Sequence, residues 1–194
     1  MQTAIIIPAR YGSSRLEGKP LLKACDKPII QWVWEKAKTV PHVDRVIIAT
    51  DDDRIFNACK EFGAEVEMTS TEHKSGSDRI AEVAKRHPEI GYIINLQGDE
   101  PLIEQANIEL VIKGVLFDEK ADISTLVREI KDVAEAENPN LVKCVFDINN
   151  YALYFSILST RYFEVLYIKL NASGINSSSK LFKKQIDSRV KSPL

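Results

Sequence analysis

Short, largely β-branched runs alternate with helix-length segments through the first two thirds of this 194-residue chain, and that rhythm leaves few architectures open. Residues 3–7, 45–50, 65–68 and 92–97 read as strands, and segments at about 29–40, 52–62 and 78–86 as helices. Strands separated by helices pair in parallel through right-handed crossovers, because a twisted strand feeding a right-handed helix packs back onto its sheet only in that sense. The spacing therefore predicts an α/β fold with a doubly wound, mostly parallel sheet. Residues 123–127 and 142–146 read as further strands, and 151–155 as the partner of the latter across a turn at 147–150. A chain of this length can bury a sizeable core as one domain, or as one domain with an appendage.

Ligands of such sheets bind at the carboxyl ends of the strands, so polar residues there are the candidates. The first strand empties into Pro8-Ala9-Arg10-Tyr11-Gly12-Ser13-Ser14-Arg15-Leu16-Glu17-Gly18-Lys19-Pro20-Leu21. Backbone N–H groups freed by such a turn point at anionic oxygens, and Arg10, Arg15 and Lys19 can neutralise the remaining charge, so the loop reads as a grip for a triphosphate. Its spacing matches neither the P-loop nor the dinucleotide fingerprint, and a solvated basic loop is the alternative reading. Gln97-Gly98-Asp99-Glu100-Pro101 closes the fourth predicted strand. Asp99 is there either a Mg²⁺ ligand facing the phosphate grip or the cap of a helix starting near Pro101. Gly98 would let the backbone approach a nucleotide closely.

In His73-Lys74-Ser75-Gly76-Ser77-Asp78-Arg79, Ser77 or Asp78 reads as the N-cap of the next helix. Ser75 and Gly76 can also present backbone and hydroxyl groups to the edge of a base. His73 reads as a surface residue, and Trp32 and Trp34 as packing residues with at least one of them buried. The formal charge of −2 argues against a general nucleic-acid or membrane-surface binder. Cys25, Cys59 and Cys144 have no metal or disulfide spacing and read as buried thiols of a reducing compartment. With no signal segment or bilayer-length apolar stretch, the expected location is the cytoplasm.

In order and spacing, Ile7-Pro8-Ala9-Arg10 through Lys19-Pro20-Leu21, then Ser75-Gly76-Ser77-Asp78-Arg79, then Gln97-Gly98-Asp99-Glu100-Pro101, then Tyr151-Ala152-Leu153-Tyr154-Phe155-Ser156 closely resemble the 3-deoxy-manno-octulosonate (KDO) cytidylyltransferases, or CMP-KDO synthetases. The resemblance runs over residues 1–156. It implies a Rossmann-like sheet of the nucleotide-diphospho-sugar transferase type. It also implies a reaction in which CMP passes from CTP to KDO, giving CMP-KDO and pyrophosphate for lipopolysaccharide biosynthesis, with Mg²⁺ as cofactor and a homodimer as the assembly.

Carried over residue by residue, the resemblance has Arg10 and Lys19 hold the triphosphate, with Pro8 and Ala9 beside them and Ser13 and Arg15 completing the loop. Ser75 and Gly76 contact cytosine, Asp99 ligates Mg²⁺, Gln97 lies near the sugar and Arg79 supports the site. Arg10, Lys19 and Asp99 are the expected catalytic residues. No protein nucleophile is needed, because nucleotidyl transfer rests on positioning and charge neutralisation.

Beyond Ser156 the texture changes. Residues 1–156 carry 19 basic and 26 acidic side chains, a formal −7, whereas residues 157–194 carry 7 and 2, a formal +5. The tail lacks the family's His-x-Gly-Ile-Tyr-Gly strand, its Leu-Glu-Gln-Leu helix and the late Gly-Val-Asp-Thr loop that supplies a second Mg²⁺ carboxylate. Its acids are Glu164 and Asp187, neither in such a context. The expectation is a nucleotidyltransferase core at 1–156 and a divergent basic tail at 157–194, with the C-terminal part of the family fold missing. A frame shift or chimeric gene accounts for the break better than a genuine replacement. Two other functions stay open: an inactive CTP-binding remnant, and a cytidylyltransferase for a related acidic sugar such as sialic acid.

Overall fold

The computed structural model describes residues 1–12, 16–157 and, as backbone pairing, 180–184. It divides into two compact units, Met1–Ile108 and Glu109–Leu194. In the first unit, β1 (Gln2–Ala9) has Ala4, Ile5, Ile6 and Ile7 wholly buried. A strand that is apolar at successive positions has to be covered on both faces, which suits the inner strand of a parallel sheet. The chain continues through a single 3₁₀ turn (Lys19–Leu21), a small hairpin of β2 (Lys23–Ala24) and β3 (Lys27–Pro28), and α1 (Ile29–Lys38). It then alternates through β4 (Arg45–Thr50), α2 (Asp53–Glu61), β5 (Glu65–Met68), α3 (Gly76–Arg86) and β6 (Ile90–Asn95).

These strands form a four-stranded parallel sheet in the order β5-β4-β1-β6. The chain winds outward from β1 to β5 and returns to β6 on the other side of β1. β1 and β6 therefore flank the point where the winding reverses, where sheets of this kind open a crevice at their strand ends. The register sets Ala9 opposite Thr50 and Ile6 opposite Asn95. One face of the sheet buries Ala4, Ile6, Ile47 and Ala49 with Ile80 and Val83 of α3. Trp34 of α1 is buried with its ring 5.2 Å from that of Phe62, while Trp32 is half-buried and donates its indole N–H to the Ala24 carbonyl at 2.8 Å.

Helix starts follow their caps. Asp52 accepts the Arg54 N–H at 2.9 Å and opens α2. α3 is capped by Ser75 and not, as the spacing suggested, by Ser77 or Asp78. The Ser75 hydroxyl accepts the Asp78 N–H at 3.1 Å while the Asp78 carboxylate accepts the Ser75 N–H at 3.1 Å. This reciprocal capping box starts the helix ahead of the residue expected to cap it. Cys25 also departs from expectation. It is exposed at the tip of the β2–β3 hairpin, where it and Asp26 adopt φ values of 50° and 64°, the left-handed pair of a tight hairpin turn. Cys59 and Cys144 are buried, and burial pushes the Cys59 thiol up to about 12.

α4 (Gln105–Leu116) carries the chain into the second unit, which contains β7 (Ile123–Val127), α5 (Val133–Glu137), β8 (Lys143–Phe146), β9 (Ala152–Ser156) and β10 (Lys180–Lys184). The three expected strands are present as β7, β8 and β9; β8 pairs antiparallel with β9, and β7 pairs antiparallel with β10, which the sequence did not announce. At the β8–β9 turn, the Asp147 carboxylate accepts the N–H groups of Asn149 and Tyr151, each at 2.8 Å. Lys143 is wholly buried and donates its ammonium to the carbonyls of Asn138 at 2.7 Å and Ile157 at 3.1 Å. Among the described residues, no helix is long and apolar enough to cross a membrane.

Candidate functional site

A cavity of about 170 Å³ opens in the first unit at the reversal of winding. Pro8, Ala9 and Arg10 reach it from the end of β1, and Gln97 from the chain leaving β6. His73 and Lys74 line it from the loop before α3, and Ser75, Gly76 and Arg79 from the start of that helix. Seven of these nine residues are ones the sequence places at a ligand site; His73 and Lys74 are the other two. Ser13 and Arg15 lie outside the described residues.

Two glycines bring the walls together. A Cβ on Gly76 would stand 3.1 Å from Pro8 Cγ, so the absence of a side chain seats the start of α3 against the end of β1. A Cβ on Gly98 would stand 3.0 Å from Ile30 Cδ1 and 3.2 Å from the Pro8 carbonyl oxygen. Gly98 thus packs the exit of β6 against the protein's own β1 and α1. The first-turn N–H groups of a helix have no intrahelical acceptors, and with the helix dipole they favour an anion. Because the Ser75 hydroxyl is engaged by the Asp78 carboxylate at 2.7 Å, the start of α3 offers a ligand mainly backbone. That hydroxyl, the largest influence, holds the Asp78 carboxyl below its ordinary range.

Arg79 is only 3% exposed, and its charge is matched within the protein. It donates to the Asp51 carboxylate at 2.6 Å and to the Thr69 hydroxyl, which itself donates to the Thr50 carbonyl at 3.0 Å. The guanidinium therefore ties α3 to the carboxyl ends of β4 and β5, beside the cavity.

Lys19 and Asp99, 80 residues apart in sequence, meet at 2.6 Å. Their side chains are 39% and 50% exposed, so the pair contributes little to stability and remains open to an incoming ion or phosphate. α4 begins at Gln105, which leaves Asp99 outside the helix it was alternatively expected to cap. Among the described residues there is no group of three or more His, Cys, Asp or Glu side chains that could hold a metal.

The ends of the predicted phosphate grip are clamped by contacts without a sequence signature. The Gly18 N–H donates to the Tyr11 carbonyl at 2.9 Å, and Gly18 adopts a φ of 65°. A Cβ there would lie 3.0 Å from the Tyr11 ring. The Arg54 guanidinium sits 3.2 Å from the centroid of the same ring and is oriented by Asp52 through bonds of 2.9 and 2.7 Å. On the other side of the cavity, His73 Nε2 lies 2.5 Å from a Glu82 oxygen that also accepts the Ser70 N–H at 2.9 Å.

The cytidylyltransferase family profile matches residues 4–189. A 3-deoxy-manno-octulosonate cytidylyltransferase of Thermodesulfovibrio yellowstonii is 48% identical over 163 residues, 80% of this chain and 64% of the relative. One of Pseudomonas fluorescens is 47% identical over 157 residues, 78% of this chain and 60% of the relative. The chain thus spans about three fifths of the length of these curated relatives. A solved structure of CMP:2-keto-3-deoxy-manno-octonic acid synthetase complexed with CTP matches with a TM-score of 0.79 and 37% identity, covering 94% of this chain and 74% of that one.

Proposed function

The chain belongs to the cytidylyltransferase family, and from that premise we propose that it transfers CMP from CTP to KDO, releasing pyrophosphate, a step that serves lipopolysaccharide biosynthesis. The observation that carries this reading is a cavity at the reversal of winding, where Arg10, Ser75, Gly76 and Gln97 line one space in a chain about half identical to KDO cytidylyltransferases.

In this reading residues 1–156 form the catalytic core and 157–194 the divergent tail. Arg10 and Lys19, with Ser13 and Arg15, hold the triphosphate beside Pro8 and Ala9. Ser75 and Gly76 meet cytosine, Gln97 meets the sugar, and Arg79 holds the wall through Asp51. The attacking hydroxyl of KDO forms a bond to the α-phosphorus as the bond to pyrophosphate breaks, and the cations offset charge on the phosphate oxygens.

Asp99 suits Mg²⁺: its carboxylate is a hard oxygen donor and half-exposed, and this ion commonly takes only one or two protein carboxylates beside phosphates and water. Bound there, Mg²⁺ would supply charge neutralisation and orientation of the phosphates. A homodimer and a cytoplasmic location belong to the same proposal.

The divergent basic stretch at 157–194 favours one second reading, a CTP-binding remnant without turnover. Pyrophosphate release by the purified chain with CTP, Mg²⁺ and KDO, beside a control without KDO, separates the two. KDO-dependent release that disappears in Asp99→Ala is the expected result. CTP binding without release assigns the chain to the remnant, and release with sialic acid in place of KDO reassigns the acceptor.

A further inference from the structure

We propose that His73 is a specificity-determining residue that accepts a hydrogen bond from the exocyclic amine of a cytosine base, and that Glu82 sets the polarity of its ring; this rests on the cytidine-nucleotide reading above. His73 lines the cavity, and its Nε2 lies 2.5 Å from Glu82 Oε2. An ionised carboxylate only accepts, so Nε2 carries the hydrogen of this pair. Glu82 is itself fixed, by the Ser70 N–H at 2.9 Å and by Arg86. The Ser70 N–H first, and then the His73 ring, hold its carboxyl below the usual range, which keeps it an acceptor at neutral pH.

With the hydrogen on Nε2, Nδ1 of the neutral ring presents a lone pair. Nδ1 has no partner among the described residues. An acceptor fixed in this way discriminates between pyrimidines. Cytosine offers an N–H at its 4-position, whereas uracil offers a carbonyl oxygen, which would set acceptor against acceptor. A site that presents a fixed polar group penalises the analogue that leaves it unpaired.

The test is equilibrium binding of CTP and of UTP, each with Mg²⁺, to the wild-type chain, His73→Phe and Glu82→Gln, with melting curves to confirm that each variant is folded. The wild-type chain is expected to prefer CTP. His73→Phe, which keeps a ring but no acceptor, should weaken CTP binding roughly tenfold and leave UTP binding nearly unchanged, so the preference collapses. Glu82→Gln, which keeps the ring but lets its tautomer reverse, should lose part of the same preference, and it decides the matter if His73→Phe does not fold. Equal weakening of both nucleotides, or an unchanged preference, overturns the inference. A wild-type chain that binds CTP and UTP alike overturns it while leaving nucleotide binding intact, and one that binds neither overturns the proposed function together with it.

Discussion

The two units of this chain bury their apolar residues to different degrees. In Met1–Ile108 the inner strand is closed on both faces, and every isoleucine of β1 is wholly buried. In Glu109–Leu194 the described strands pair two by two, and the β8–β9 hairpin exposes Ile148 by 96%, Leu153 by 63% and Phe155 by 44%. The cavity lies in the closed unit. A binding site needs a backbone that does not shift, and a strand buried on both faces provides one for Pro8, Ala9 and Arg10 at its end.

The comparison can be broken most forcefully at the centre of the sheet. Ile6→Ala leaves a void beneath α3 and should destabilise the first unit by about 3 kcal/mol in urea unfolding, with CTP binding weakened in step. A loss well under 1 kcal/mol would mean that the sheet is not closed on both faces. Asp51→Asn comes next. It strands the Arg79 guanidinium without a carboxylate, and because Asp51 is partly solvated the expected cost is about 2 kcal/mol. Nucleotide affinity should fall as well, since the start of α3 loses its tie to the ends of β4 and β5. The smallest effect belongs to the second unit: Phe155→Ser should change stability by no more than about 0.5 kcal/mol, as expected of an exposed site. A larger loss would show that Phe155 is packed, and would erase the contrast.

The sheet and the place of the candidate site are legible in the sequence because both leave local marks. Unbroken apolar runs announce inner strands, and a loop such as Pro8–Leu21 stands out at the end of one. What stayed hidden depends on residues that meet only after folding. Asp51 and Arg79 lie 28 residues apart, and Tyr11 and Arg54 belong to a loop and a distant helix, so neither pair leaves a period or motif. His73 and Glu82 are only nine residues apart, but one precedes α3 and the other lies within it, a pairing no helical spacing announces. The β2–β3 hairpin turns on Cys25 and Asp26, without the glycine that usually signals such a turn, and its strands are too short to alternate. α5 is a five-residue helix whose one clear cue is its cap, Asp132.

Lys143 gives the second unit a property of a chemical kind. Its amine is sealed from solvent and strapped to carbonyls on the segments before β8 and after β9. Acylating reagents reach such an amine only when the strap lets go, whereas the surface lysines react at once. The pace at which Lys143 takes up label is therefore a clock for the opening of the strap that holds it.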